Sequence, residues 1–216
     1  MMSRRIPPIY NGERILIICE GYEESEYLNR LKSLRIWDGN FCIEIENAKS
    51  IDNIFAKYQY KYANGNYKLI FIFCDTEMHP YEQFISLKNR IDDMHGNKAS
   101  SKVLFFSNPC TMQIILSHFE KVSLRTNSKS GNGQLIERLA GICDYRATEP
   151  QRTKLLKKVN KENYCTMKEN LRGISDNYKV LPSTNVLELF DHLETYNKKW
   201  IASVNKAIEK ETKNKS

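Results

Sequence analysis

The sequence predicts an α/β fold, with a mainly parallel four-stranded sheet flanked by helices and a helical C-terminal extension. Three observations predict it. Two short apolar runs, Ile15 to Cys19 and KLIFIFC over 68–74, lack polar alternation, as strands covered on both faces do. Strand and helix patterns alternate four times up to about Glu120, the rhythm of right-handed βαβ crossovers. Beyond Glu120 the pattern changes and no convincing strand follows. Residues 1–120 are therefore expected to form the α/β domain, and 121–216 a helical extension packed on it.

The elements follow in order. Ile15–Cys19 is a strand that ends on Glu20, and Gly21 permits a tight turn. Glu23, Glu24 and Glu26 suit the positive end of a helix, with Leu28, Leu31 and Leu34 at helical spacing behind them. FCIEIE over 41–46 alternates, which predicts a strand with one more polar face, near an edge. Ile51, Ile54, Phe55 and Tyr58 mark a helix, and Ala63-Asn64-Gly65-Asn66 a turn. The strand 68–74 runs straight into Asp75-Thr76-Glu77. Residues 81–94 read as a helix stopped by His95-Gly96-Asn97, and 102–106 as the fourth strand. Asn108-Pro109 is expected to start the next helix, with proline in its preferred early place. NSKSGNG over 127–133 is a polar Gly/Ser-rich loop, either flexible or in contact with substrate. Helices are expected over 134–142, 153–169 and 184–210, separated by Pro150 and Pro182, before a solvated tail.

Two buried strands that end on acid define the candidate chemistry. If they are parallel neighbours, Glu20, Asp75 and Glu77 meet at the carboxyl edge of the sheet, where open α/β folds bind ligands. Carboxylates gathered there repel one another unless a cation sits among them. Hard oxygen donors with few others nearby suit Mg²⁺ or Mn²⁺. Glu24, in the first helical turn, either joins the metal shell or opposes the helix dipole. A single acid at a strand end is ordinarily a cap or a surface charge; the joint placement of these acids argues for a metal site.

Glu20-Gly21 followed by Asp75-Thr76-Glu77 resembles the Glu-Gly and Asp-x-Asp motifs of the TOPRIM domain, a Rossmann-like fold. EGYEESEYL resembles the EGxxExxYF opening of the RloB-like group, with matches at Glu24, Tyr27 and Leu28. SNPCTMQIILSHF over 107–119 resembles that group's SNPxFExWxxxHF segment at Asn108, Pro109, His118 and Phe119. Thr111, Met112 and Ile114 stand where Phe, Glu and Trp are expected. The resemblance covers about residues 14–120. It implies metal-dependent phosphodiester chemistry on nucleic acid, with Glu20, Asp75 and Glu77 as the catalytic acids. RloB-like and OLD-type proteins further imply a toxic nuclease of bacterial phage defence, with RNA such as tRNA favoured over DNA.

Composition agrees with an anionic partner. The chain has 216 residues, 41% of them hydrophobic, with a net charge of +7 and a sequence pI near 9.0. Arg152, Lys154, Lys157, Lys158, Lys161, Lys168 and Arg172 form the best nucleic-acid candidate, with Tyr145 and Tyr164 beside them to stack on bases; the competing reading is a solvated helix face. His118 is a candidate phosphate contact or proton carrier, against the reading of a satisfied core histidine. His79 follows the acidic motif closely and carries no assignment. The six cysteines form no CxxC pair, which argues against a zinc ribbon. With no signal peptide and no long apolar span, a reducing cytoplasm and no membrane partner are expected.

No additional tyrosine-bearing domain is evident, as a topoisomerase needs, nor the further zinc- or helicase-binding parts of a primase. The expected function is therefore that of a small Mg²⁺- or Mn²⁺-dependent nuclease. No G-x-x-x-x-G-K-[ST] element occurs, so an ATPase partner would be a separate protein. The alternative is a TOPRIM-like module that kept nucleic-acid binding or a regulatory role and lost cleavage. Homo-oligomerisation is compatible with either.

Overall fold

A computed structural model describes residues 12–77, 79–96 and 98–209. Residues 1–11, Asn97 of the expected helix stop and the tail from 210 lie outside the described residues.

Five strands form one sheet in the order β2-β1-β3-β4-β5. They are β1 (Glu13–Cys19), β2 (Phe41–Asn47), β3 (Leu69–Asp75), β4 (Leu104–Asn108) and β5 (Ser183–Thr184). The first four run parallel, with Ile17 beside Phe71 and Phe73 beside Phe105. Every residue of β3 is buried, which explains its unbroken apolar run; β2 alternates because it forms an edge.

The fifth strand is a correction to the four-stranded expectation. It pairs antiparallel with Ser107 and Asn108 and comes from the extension. Two residues are too few for a periodicity to show. The rest of that β4 edge is closed by side chains. Asn185 Oδ1 accepts from the Phe106 amide over 2.8 Å and its Nδ2 donates to the Leu104 carbonyl, so one amide side chain replaces a strand partner.

Around the sheet lie α1 (Tyr22–Ser33), α2 (Ile51–Asn64), α3 (Glu82–His95), α4 (Ser100–Val103) and α5 (Met112–Ser117). The chain leaves β1 toward β2 on one side, then crosses back to β3 and β4. Right-handed crossovers therefore place α1 on one face and α2 and α3 on the other, and α2 packs against α3. Pro109 does not open α5. Asn108 is the last residue of β4, the Asn108–Pro109 peptide is cis, and the helix begins after Thr111.

The extension holds α6 (Gly133–Ala140), α7 (Glu149–Lys157), α8 (Lys161–Leu171), α9 (Val186–Glu194) and α10 (Lys198–Ile208). The two longest expected helices are each divided. Asn160 and Asn197 are the breaks, because each accepts backbone amides of the following turn as an N-cap. The extension shares the core of the sheet. Trp200 stacks on Phe71 at 5.5 Å between ring centroids and meets Phe41 edge-on. α1 contacts α7, and Arg30 donates to the Val159 carbonyl from both Nε and Nη2. Among the described residues no helix is long and apolar enough to cross a membrane.

Candidate active site at the carboxyl edge of the sheet

The strand order reverses direction at β1 and β3, since β2 lies on one side of β1 and β3 on the other. The carboxyl ends of strands flanking such a switch point are where α/β sheets bind ligands. Glu20 directly follows β1 and Asp75 ends β3. The Glu20 amide continues the ladder to the Phe73 carbonyl, and the Asp75 amide donates to Glu20 Oε2 over 3.2 Å. The expected adjacency of these two acids is therefore a product of strand pairing.

Glu24 reaches the same place from α1. Its Oε2 accepts the Gly21 amide at 2.9 Å, which closes the first helical turn under Glu20. A Cβ at position 21 would lie 3.0 Å from that oxygen, so glycine leaves room for the carboxylate. Glu24 and Asp75 are both buried. Thr111, at the head of α5, donates to Asp75 Oδ1 over 2.8 Å. Glu77 leaves the strand in the left-handed region at φ 58°, and its Oε2 accepts from Asn127 Nδ2 at 2.5 Å.

Burial and mutual repulsion dominate the electrostatics. Desolvation, then the charges of Glu24 and Glu77, push Glu20 up to about 8 against the pull of the Asp75 amide. Desolvation raises Glu24 to about 7, and raises Asp75 well above the carboxylate range with help from Glu24 and Glu20. Among the described residues no lysine or arginine forms an ion pair with Glu20, Glu24, Asp75 or Glu77.

A cavity of about 220 Å³ opens beside these acids, lined by Glu23, Asp75, Glu77, Asn127, Lys129 and Tyr145 among others. Glu23 rather than Glu20 or Glu24 joins Asp75 and Glu77 on its wall. Tyr145 anchors Glu23 by donating to its Oε1 over 2.6 Å. The polar loop 127–133 borders the acids through Asn127, Lys129 and Asn132. Glu23, Thr111 and Asn127 are the residues that motif reading passes over. Only the composition of EGYEE and of the loop hinted at the first and last.

Among the described residues, no group of three or more His, Cys, Asp or Glu side chains is arranged to hold a metal ion. The donor set has the chemistry of a hard divalent cation's ligands: it is all oxygen and acidic, and Lys129, the lysine on the crevice wall, forms no ion pair with it. Mg²⁺ commonly binds through one or two carboxylates while keeping several waters, so a closed protein cage is not required.

The other candidates separate. His118 is buried, and its ring is held between the Tyr27 hydroxyl at Nε2 and Asn163 Oδ1 at Nδ1, each at 2.9 Å. Asn163 Oδ1 also accepts the Asn160 amide, so Nδ1 carries the proton and Nε2 accepts from Tyr27. Burial lowers the His118 pKa to about 4. It is a core histidine joining α1, α5 and α8, and no phosphate reaches it. His79 is exposed and packs beside Tyr81.

The basic stretch also divides. Arg152 is bound bidentately by Glu26, and Lys168 is paired with Asp191 and Glu194. Lys154, Lys157, Lys158 and Lys161 are exposed and form no ion pairs among the described residues. Tyr145 and Tyr164 are buried and hydrogen-bonded to Glu23 and Glu194, so neither can stack on a base.

Compared with family models, curated proteins and solved structures, the chain gives no match. The class stands on geometry alone: an α/β chain with a five-stranded, mostly parallel sheet and an acidic crevice at its topological switch point.

Proposed function

We propose that the chain is a TOPRIM-type nuclease dependent on Mg²⁺ or Mn²⁺. It cleaves phosphodiester bonds in nucleic acid, with RNA such as tRNA favoured over DNA, as an effector of bacterial anti-phage defence in the cytoplasm. The observation that carries the reading is the collection of Glu20, Glu24, Asp75 and Glu77 around the β1/β3 switch point, none of them in an ion pair with a lysine or arginine among the described residues. The three sequence motifs supply the substrate class, and the exposed lysines around the α7–α8 turn supply a polyanion-binding surface.

Glu20 and Asp75 would hold the ion from adjacent strand ends, and Glu77 and Glu24 would complete its charge balance. The bound ion supplies a polarised phosphoryl oxygen and a more acidic water. Thr111 fixes the Asp75 carboxylate, the Gly21 amide fixes Glu24, and Asn127 holds Glu77 against the crevice. Glu20 and Glu77 are the two carboxylates suited to take a proton from attacking water.

One observation favours a second reading. Because no three-ligand group is preformed among the described residues, the chain could instead be a catalytically inactive TOPRIM-like module that binds nucleic acid and works with a separate ATPase. Incubating the purified chain with RNA and with DNA, in Mg²⁺, Mn²⁺ or chelator, decides between them. New ends formed only with metal support the nuclease. Binding without cleavage under every metal condition supports the module.

A further inference from the structure

Tyr22 is 58% exposed and is the first residue of α1, between Gly21 and the crevice-lining Glu23. Single exposed aromatics are ordinary on protein surfaces, but this one is held in a specific setting. The Arg152 guanidinium lies over its ring, with Cζ 5.2 Å from the centroid. Arg152 is itself fixed, since Nε and Nη2 grip the two oxygens of Glu26 and Nη1 donates to the Ala147 carbonyl. The guanidinium lies over one face of the ring, and the side chain is otherwise largely exposed. The next residue, Glu23, lines the crevice with Asp75 and Glu77.

We propose that Tyr22, backed by Arg152, is a stacking platform for an unpaired base next to the acidic crevice. The ligand class is single-stranded or looped nucleic acid. An aromatic face braced by a cation stacks any base, because every base offers a π-face, whereas a continuous duplex hides its bases within the stack. Arg152 belongs to α7, the helix that also carries the exposed Lys154 and Lys157. A strand crossing from those lysines to the crevice would therefore pass the ring. Tyr60, also strongly exposed, lies toward the end of α2, away from the carboxyl edge, and no guanidinium or ammonium group lies over its ring among the described residues. The proposal rests on the nucleic-acid reading above for its ligand class, and adds the platform and the requirement for unpaired bases.

The test measures binding of a short single-stranded oligoribonucleotide carrying 2-aminopurine, and of the matching blunt duplex, with EDTA present so the strands stay intact. Wild type should bind the single strand more tightly than the duplex and quench the 2-aminopurine by stacking. Tyr22→Ala should weaken single-strand binding about tenfold, the order of one lost base stack, and abolish the quench. Duplex affinity and the melting midpoint should stay unchanged. Tyr22→Trp should restore both affinity and quench. If Tyr22→Ala and Tyr22→Trp both match wild type in affinity and quench, the platform is overturned and the nuclease reading stands. If wild type binds neither RNA form, both fall together.

Discussion

The Asp75 amide donates to the Glu20 carboxylate across 3.2 Å, so the carboxyl ends of β1 and β3 are tied through one of the acids of the site. That bond offsets only part of the cost of burying Glu20 beside Glu24 and Glu77, whose charges help keep its pKa near 8. Without a cation the site is under electrostatic stress, and the first predictions test this.

Glu20→Gln, Asp75→Asn and Glu77→Gln preserve volume while each removes one negative charge. Each should reduce metal-dependent cleavage by about 100-fold or more, through loss of a ligand or of its balancing charge. The metal-free melting temperature should be unchanged or higher, because repulsion is relieved. Cleavage assays beside calorimetric Mn²⁺ titrations read both effects. Wild-type cleavage by the Asp75→Asn protein would remove the site assignment.

The pH dependence has a definite sign. Glu20 and Glu24 have folded pKa values raised from 4.5 to about 8 and about 7. Their contribution to stability is full below about pH 4.5, and is lost as pH rises through 7 and 8. The metal-free protein should therefore melt at lower temperature at pH 8.5 than at pH 6.5, with a smaller loss in Glu20→Gln, where Glu24 still titrates. Mn²⁺ should narrow the difference, because metal binding displaces the same protons. Melting curves with chelator and with Mn²⁺ measure it.

His118 acts in the opposite sense. Its folded pKa is lowered from 6.5 to about 4, so its contribution is present above pH 6.5 and is lost as pH falls toward 4. Stability lost across that window is on the order of 3 kcal/mol. The gap in unfolding free energy between wild type and His118→Gln should shrink steadily over that range in urea titrations. A constant gap would mean that the buried imidazole does not titrate as described.

Replacing Lys154, Lys157, Lys158 and Lys161 together by Ala should weaken nucleic-acid binding and flatten its salt dependence. On a single strand the logarithmic slope should fall by roughly 0.7 for each phosphate that is no longer neutralised. The lysines are exposed, so fold stability should shift by no more than about 0.5 kcal/mol per site. Filter-binding affinities across a salt series provide the slope. An unaltered slope in a folded variant would leave these lysines as a solvated face only.

Trp200→Ala should cost about 3–5 kcal/mol, because the indole is buried between Phe71 and the stacked His192 ring. That loss would show that the extension is part of the core of the sheet. Guanidinium unfolding followed at a single cooperative transition measures it.

The residues of the sequence by themselves determined the parallel sheet and the placing of its acids. Ile15–Cys19 and 68–74 are apolar without alternation because both faces are covered, and an acid that ends such a run must sit at the sheet edge. Local spacing also separated the helices of the first 120 residues. What needed the tertiary structure was everything set by partners distant in sequence. Ser183 and Thr184 form a strand only because Ser107 and Asn108 offer an open edge. Tyr145 and Tyr164 look like base-stacking residues beside lysines, yet both side chains are buried and their hydroxyls are taken by Glu23 and Glu194. His118 is a core residue because Tyr27 and Asn163, 91 and 45 positions away, satisfy both ring nitrogens. Tyr22 shows the reverse: nothing in its neighbours along the chain marks it, and only the packing of α7 on α1 brings Arg152 over its ring. Periodicity reports whether a face is buried, but the identity of the group that meets a polar side chain is decided by chain segments that periodicity does not connect.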